Sequence, residues 1–138
     1  MTILRFAVIL LITCLTSSAS EIPLVCPASI RVEQSPLDIP SGWQAVRLAG
    51  RELFRLNGAS FSDGHPKDGA ILRPAKTTRQ EARYDFTASY PEGLWISCSY
   101  SETTVTLAQK LPDGVTSCTV EYGNKPPGAI TKIQCLKP

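Results

Sequence analysis

The sequence has few residues that could bind a metal ion, and it lacks the spacing that such sites use. His65 is the single histidine, and no two cysteines are spaced as Cys-x-x-Cys. Structural zinc sites take four ligands from cysteine and histidine, usually with two of them in a close pair. The sequence therefore predicts no zinc site, and it contains no motif for another metal or a cofactor.

Long runs of like charge are also absent. The chain has 14 basic and 12 acidic residues, which gives a formal net charge of +2. Proteins that bind nucleic acid or anionic membranes present clustered basic residues, because contacts with phosphate groups dominate that binding. Nucleic acid and anionic membrane surfaces are therefore poor candidates as partners.

No arrangement of residues typical of a catalytic site is recognisable. Asp63 and His65 lie in one glycine-rich stretch, whereas a catalytic triad takes its members from separate elements in a fixed geometry. The remaining carboxylate candidates for glycoside hydrolysis are expected on turns or on the solvent side of strands; they are Asp85, Glu92 and Glu102. We expect a non-enzymatic protein. The alternative, an envelope hydrolase, requires convergent acids or Asp63 and His65 facing a cleft.

The longest apolar run lies at the N-terminus and is too short to cross a bilayer. Phe6 to Leu15 follows Arg5 and is followed by small residues up to Ser20. A membrane-spanning helix needs roughly 20 apolar residues, whereas a short apolar run between a basic residue and small residues is typical of a secretory signal. The sequence predicts a cleavable signal peptide over residues 1–20, cut after Ala19 or Ser20, and a single exported domain over residues 21–138.

Four cysteines remain after this cleavage: Cys26, Cys98, Cys118 and Cys135. An even number of cysteines in a small exported domain indicates two disulfide bonds. If the last two strands form a hairpin, Cys118 lies opposite Cys135, and Cys26 is left to pair with Cys98. The alternative of Cys98–Cys118 with Cys26–Cys135 joins strands two apart, about 10 Å in a flat sheet, and needs strong curvature to reach bonding distance.

The same hairpin register sets Val120 opposite Ile133 and Tyr122 opposite Thr131, with all these side chains on one face. Elsewhere, short alternating segments separated by turn residues predict further strands. The predicted strands cover residues 26–33, 43–48, 53–56, 82–88, 94–100, 105–111, 118–122 and 131–135. Residues 82–88 and 94–100 are predicted to form a hairpin through Tyr90 to Gly93, and residues 77–83 form at most a turn or two of helix. The predicted fold is mainly β, either a small antiparallel sandwich or a barrel-like meander.

Two features suit the binding of another protein. A long loop is predicted from Asn57 to Pro74, and loops much longer than a dozen residues are often functional; its partner-binding candidates are Phe61, Asp63, His65 and Lys67. Trp95 is the other candidate, because its neighbours on the same strand face are Ser97 and Ser99. Trp95 is expected either to be partly exposed or to pack on a second sheet, whereas Trp43 is expected in the core.

A set of short motifs resembles a known family of small exported proteobacterial proteins, catalogued after a Salmonella Typhi open reading frame. The motifs are Cys26-Pro27, Ser60-Phe61-Ser62-Asp63-Gly64-x-Pro66, Leu72-x-Pro74, Trp95-Ile96-Ser97-Cys98-Ser99-Tyr100, Leu111-Pro112, Cys118-Thr119-Val120 and the final Cys135. Because some relatives lie near type VI secretion genes, the resemblance implies a periplasmic immunity protein, a resident inhibitor of an effector that attacks the cell wall. The expected partner is thus another periplasmic protein, such as a peptidoglycan-active enzyme. The alternative is a protein similar to the periplasmic lysozyme inhibitors, which are also small, β-rich and disulfide-linked.

Overall fold

A computed structural model describes residues 19–47, 49–50 and 52–138. The predicted signal peptide therefore lies outside the described residues except for its last two positions. The described part forms ten strands and no helix: β1 (Ser20–Leu24), β2 (Ser29–Arg31), β3 (Leu53–Asp63), β4 (Ala70–Ile71), β5 (Lys76–Thr77), β6 (Glu81–Asp85), β7 (Leu94–Tyr100), β8 (Thr106–Lys110), β9 (Ser117–Asn124) and β10 (Pro127–Lys137). No helix long and apolar enough to cross a membrane occurs in these residues.

The strands form two sheets that enclose the core between them. Sheet A has the order β1-β10-β9-β6-β5, and sheet B has the order β2-β3-β7-β8, with β4 also paired to β3. All the pairs described are antiparallel. The prediction of a mainly β, antiparallel sandwich or barrel-like fold is therefore confirmed.

Aromatic residues from both sheets meet at the centre of the core. Phe61 of β3 is fully buried, and its ring lies 4.6 Å from that of Tyr84 and 5.6 Å from that of Phe86. Val120 and Cys135 of sheet A are also fully buried in this cluster. Burying a phenylalanine side chain stabilises a fold by roughly 2–3 kcal/mol, so Phe61 ties sheet B to sheet A.

The prediction of a long loop from Asn57 to Pro74 is wrong. β3 continues to Asp63, and only residues 64–69 form the loop that connects it to β4. The stretch looked like a loop because Gly58 and Ser60 are poor strand formers. In the sheet, small residues fit there: a Cβ on Gly58 would lie 2.5 Å from the Oγ of Ser99 on β7.

The predicted hairpin between residues 82–88 and 94–100 is also wrong. The turn itself is present, since the N–H of Gly93 donates to the carbonyl of Tyr90 at 2.9 Å. However, β6 pairs with β5 and β9 in sheet A, whereas β7 pairs with β3 and β8 in sheet B. The segment between β6 and β7 therefore crosses from one sheet to the other. Alternation along each segment gives its inward face, but it carries no information about its partner strand.

Two local predictions differ from the structure, and a third segment lacks the short helix that its sequence allowed. Residues 43–47 form no strand, and Trp43 is 76% exposed instead of buried. The segment around residues 77–83 contains no helix, because β5 and β6 pair across a tight turn in which the N–H of Thr78 donates to the carbonyl of Glu81. The strand predicted over 26–33 is reduced to β2, and β1 was not predicted.

The two disulfides have the pairing that the hairpin register favours. Cys26 is bonded to Cys98, with Cα atoms 5.8 Å apart, and Cys118 is bonded to Cys135, with Cα atoms 4.1 Å apart. Cys118 and Cys135 lie directly opposite each other on β9 and β10, as do Val120 and Ile133.

The predicted register fails only beyond this point. Tyr122 pairs with Ile130 and not with Thr131, because the pairing shifts at irregularities on both sides of Ile130. A bulge adds a residue to one strand, and it changes which residues oppose each other beyond it.

Candidate binding surface on the outer face of sheet B

The alternation of β7 decides which of its side chains can meet a partner. Leu94, Ile96, Cys98 and Tyr100 are buried, whereas Trp95, Ser97 and Ser99 are half-buried and point to the other side of the sheet. Successive side chains of a strand point to opposite faces. Trp95 is therefore partly exposed on the outer face of sheet B.

The strands on either side of β7 extend this face with small side chains. Three rows cross it in register: Ser62, Trp95 and Lys110; Ser60, Ser97 and Ala108; and Gly58, Ser99 and Thr106. We call these nine residues the outer face of sheet B. Lys110 is its one charged member. The surface around the indole therefore has small side chains, many of them hydroxyl groups, and a single charge in Lys110.

The loop of residues 64–69 forms a wall beside Trp95. The His65 ring packs edge-on against the indole, with ring centroids 4.7 Å apart, and its Nδ1 accepts a hydrogen bond from the N–H of Lys67 at 3.2 Å. The carbonyl of His65 accepts bonds from the N–H groups of Asp68 and Gly69. The buried hydroxyl of Ser62 donates to the carbonyl of Gly64 at 2.8 Å. These bonds fix the loop and hold His65 against Trp95.

The structure separates the five predicted partner-binding residues. It brings His65 and Trp95 into contact and leaves Lys67 exposed on the same loop. Phe61 cannot contact a partner, because it is fully buried in the core, so its prediction as a binding residue is wrong. Asp63 lies two positions beyond Phe61 on β3 and hence on the inner side of the sheet.

That placement also bears on the hydrolase alternative. The Oδ1 of Asp63 is buried and has no hydrogen-bond partner among the described residues. His65, by contrast, is exposed and packs against the outward-facing Trp95. Asp63 and His65 therefore do not face a shared cleft. The hydrolase alternative requires such a cleft if these two residues are to be catalytic.

Sequence reasoning missed most of this surface. Ser60, Ser62, Ala108 and Lys110 were not candidates, because the first two fell in a predicted loop and the partner of β8 was unknown. One signal was available. Ser60 and Ser62 flank the large apolar Phe61, and this alternation is the pattern of a strand with one buried face.

A second group of exposed side chains lies apart from this surface. Between β2 and β3, the chain has no regular structure over residues 32–47, and it exposes several large apolar side chains: Leu37, Ile39, Trp43 and Val46. These residues lie on the connection that leads into the start of β3, whereas His65 lies just beyond the end of β3. Trp43 therefore serves as a comparison for Trp95 below.

A disulfide-linked sandwich with one face of small side chains and a single charge around a tryptophan has the features of a protein-binding domain. Residues 50–136 match the family described as "Type VI secretion system Tli immunity protein". The match covers more than half of the chain, so the protein belongs to this family, and the expectation of an immunity protein is confirmed. The matched range contains all nine residues of the outer face of sheet B, and it begins after Trp43.

One curated relative is similar to this protein over most of the chain. It is described as an "Uncharacterized 16.3 kDa protein in trpG 5'region" of Azospirillum brasilense, and it is 29% identical over 119 residues, which cover 80% of this chain and 79% of the relative. No solved structure matches the chain.

Proposed function

We propose that this immunity protein binds its type VI effector through the outer face of sheet B and thereby blocks the effector. The observation that carries the proposal is the partly exposed Trp95 on a surface of small side chains with one charged residue. The cores of protein interfaces are depleted of charged residues and enriched in tryptophan. Among the nine residues of this surface, binding would have to desolvate one charge, that of Lys110.

The packing around Trp95 also favours a role as an anchor. His65 and the loop of residues 64–69 hold the indole in place before a partner arrives. A side chain that is already ordered loses less conformational entropy on binding, which otherwise costs about 0.5–1.5 kcal/mol per side chain. Trp95 is therefore the residue at which we expect the largest effect of truncation.

We further propose that the protein works in the periplasm against an effector that attacks the cell wall. The two disulfides support an oxidising compartment, because such bonds persist outside the cytoplasm. Arg5 and the apolar run that follows it resemble a secretory signal, which also supports export from the cytoplasm. In this compartment the protein can meet the effector before the effector reaches its target.

The binding proposal is tested with the purified effector that this protein neutralises. Its dissociation constant is measured for the wild type, for Trp95→Ala and for Trp43→Ala, the other exposed tryptophan. Removing an anchoring tryptophan costs about 2 kcal/mol or more, so Trp95→Ala should weaken binding about 30-fold or more. Trp43→Ala should leave it unchanged. If Trp95→Ala and the wild type bind with equal affinity, and thermal melting shows that both are folded, this surface is not the binding site.

The cell-wall proposal needs a separate assay of the effector alone. Purified peptidoglycan is incubated with the effector, and the release of soluble fragments is followed with increasing amounts of the immunity protein. We expect release that stops at one equivalent of inhibitor. An effector that leaves peptidoglycan intact but is still bound by this protein would overturn the cell-wall target and leave the immunity function in place.

A further inference from the structure

The strands at the sheet edges differ in how well they are protected against pairing with another chain. An edge strand presents unpaired N–H and C=O groups, and proteins block such edges with charges, prolines or very short strands. β1 contains Glu21 and Pro23, β2 has three residues, and β5 has two. β8 has five exposed residues with a single charge, Lys110, at its end, and it has neither a proline nor an irregularity in its pairing with β7. β8 is thus the least protected edge among the described strands.

We propose that the open edge of β8 takes an extended segment of the effector as an additional antiparallel strand of sheet B. The inference rests on the proposed function and names the element by which the effector is recognised. Strand addition is a common mode of peptide recognition, in which main-chain hydrogen bonds give affinity and pockets for alternate side chains give specificity.

The hydrogen-bond pattern shows which groups of β8 are available. The N–H of Leu111 donates to the carbonyl of Leu94 at 2.8 Å. Because inward and outward bonding alternate along an antiparallel strand, Gln109 and Leu107 also bond to β7. The N–H and C=O groups of Thr106, Ala108 and Lys110 then point to the open edge, where no described strand pairs with them.

A groove on the inner side of this edge provides room for alternate side chains of an added strand. It has a volume of about 350 Å³ and lies between β7–β8 and the segment of residues 24–27. Leu107 is 39% exposed and Val25 is 86% exposed along it. A strand added to β8 would send the side chains opposite Leu107 and Gln109 toward this groove, because those two residues share the inner face with Ile96 and Cys98.

The charges at this edge define the chemistry of the segment. The groove lining contains no charged residue, and Lys110 is the one charged side chain of β8. The segment is therefore expected to carry apolar residues at the positions that face the groove and an acidic residue opposite Lys110. A second copy of β8 fits less well, because it would offer Gln109 to the groove and no acidic residue to Lys110.

Ala108→Pro tests the proposal at a single backbone group. The Ala108 N–H is not used by β7, and proline is tolerated on edge strands when its missing N–H faces outward. The substitution removes the central donor for an added strand. Ala108→Val is the matched control, since it adds a side chain of similar size on the outer face and keeps the N–H. Because Ala108 lies on the outer face of sheet B, Ala108→Val measures the effect of the added side chain alone, and we expect Ala108→Pro to weaken effector binding about 30-fold relative to Ala108→Val.

Amide hydrogen exchange of the folded wild-type protein gives a second measurement that does not depend on the variant. With bound effector, hydrogen exchange of the Ala108 and Lys110 amides should slow at least about tenfold. The hydrogen bonds to an added strand would have to open before these amides could exchange. Amides at the open edge of β1 should be unchanged. Unprotected β8 amides in a complex that still forms would overturn strand addition alone, whereas absence of any complex would overturn the proposed function. A free protein that is a dimer, and that Ala108→Pro converts to a monomer of full effector affinity, would assign the edge to a second copy and also overturn the proposal.

Discussion

The outer face of sheet A carries paired charges, whereas the outer face of sheet B carries small side chains around one tryptophan. On sheet A, Arg83 forms an ion pair with Asp85 at 2.9 Å, and Lys132 approaches Glu121 at 3.9 Å. On sheet B, the corresponding central position is held by Ser97 between Ser60 and Ala108. Both sheets bury their other face in the same core, so packing does not account for the difference.

This contrast teaches which face is suited to solvent and which to a partner. Exposed ion pairs contribute only about 0–1 kcal/mol to stability, but they keep a face hydrated, and a partner would have to displace that water. Small hydroxyl groups have less water to lose, and small side chains let a partner approach the backbone closely. The charged face of sheet A is therefore expected to remain solvated in the complex.

The largest predicted effect concerns the two disulfides. Cys26–Cys98 joins the segment between β1 and β2 to sheet B, whereas Cys118–Cys135 lies within sheet A. In the chain-entropy description, a bridge stabilises by an amount that grows with the loop it closes. The separations of 72 and 17 residues predict losses of about 4 kcal/mol for Cys26→Ala with Cys98→Ala and about 3 kcal/mol for Cys118→Ala with Cys135→Ala. Urea unfolding of the two double variants measures both. A greater loss for the second pair would contradict the loop argument.

The next effect sharpens the comparison of the faces through one charge placed on each. Ser97→Glu puts a carboxylate at the centre of the outer face of sheet B, where binding would bury it without a partner. We expect effector affinity to fall about 100-fold, which corresponds to about 2.7 kcal/mol. Thr119→Glu is the matched variant on sheet A, where Thr119 lies opposite Arg83, and its affinity should stay within about threefold of the wild type. If Thr119→Glu has the larger effect, sheet A is the binding face.

The smallest effect is the loss of stability at alkaline pH. Burial raises the pKa of Tyr84, Tyr100 and Tyr122 above the ordinary 10.0, and the neighbouring Tyr122 raises that of Tyr84 further. The folded protein therefore keeps protons that the unfolded chain has lost. This contribution is complete below about pH 10 and is lost as the pH rises through the raised pKa values.

Urea unfolding midpoints at about pH 8 and about pH 11 test this expectation. Tyr84→Phe should reduce the fall in the midpoint, because phenylalanine has no proton to lose. A midpoint that rises between the two pH values would contradict the direction of the pKa shifts.

Much of the inner face of the fold was predictable from the sequence. The alternation in β7 and β9 correctly placed Ile96, Cys98, Cys118 and Val120 inside, because a period of two identifies the apolar side of a strand without knowledge of its neighbours. The register of Cys118 with Cys135 followed from the hairpin connection, in which a short turn fixes which residues face each other. Beyond the shifts around Ile130, the same reasoning failed.

The candidate site was less predictable. Trp95 and His65 were found from their residue types, but their contact was not, since it depends on how the loop of residues 64–69 returns to β4. The sequence places Phe61 in a predicted loop, because the small residues before it are poor strand formers. The edge at β8 required knowledge of every strand pair, since an edge is defined by the absence of a neighbour.

The sequence by itself determined that the chain is β-rich, that Cys118 and Cys135 share an inward face, and that Trp95 points away from it. These properties depend on residues close together along the chain, where the geometry of an extended backbone sets the direction of each side chain. Only the tertiary structure decided that β6 and β7 belong to different sheets, that Trp43 is exposed and that β8 has an open edge. Those features depend on which distant strands pair, and many pairings satisfy the same alternation until the closed core selects one of them.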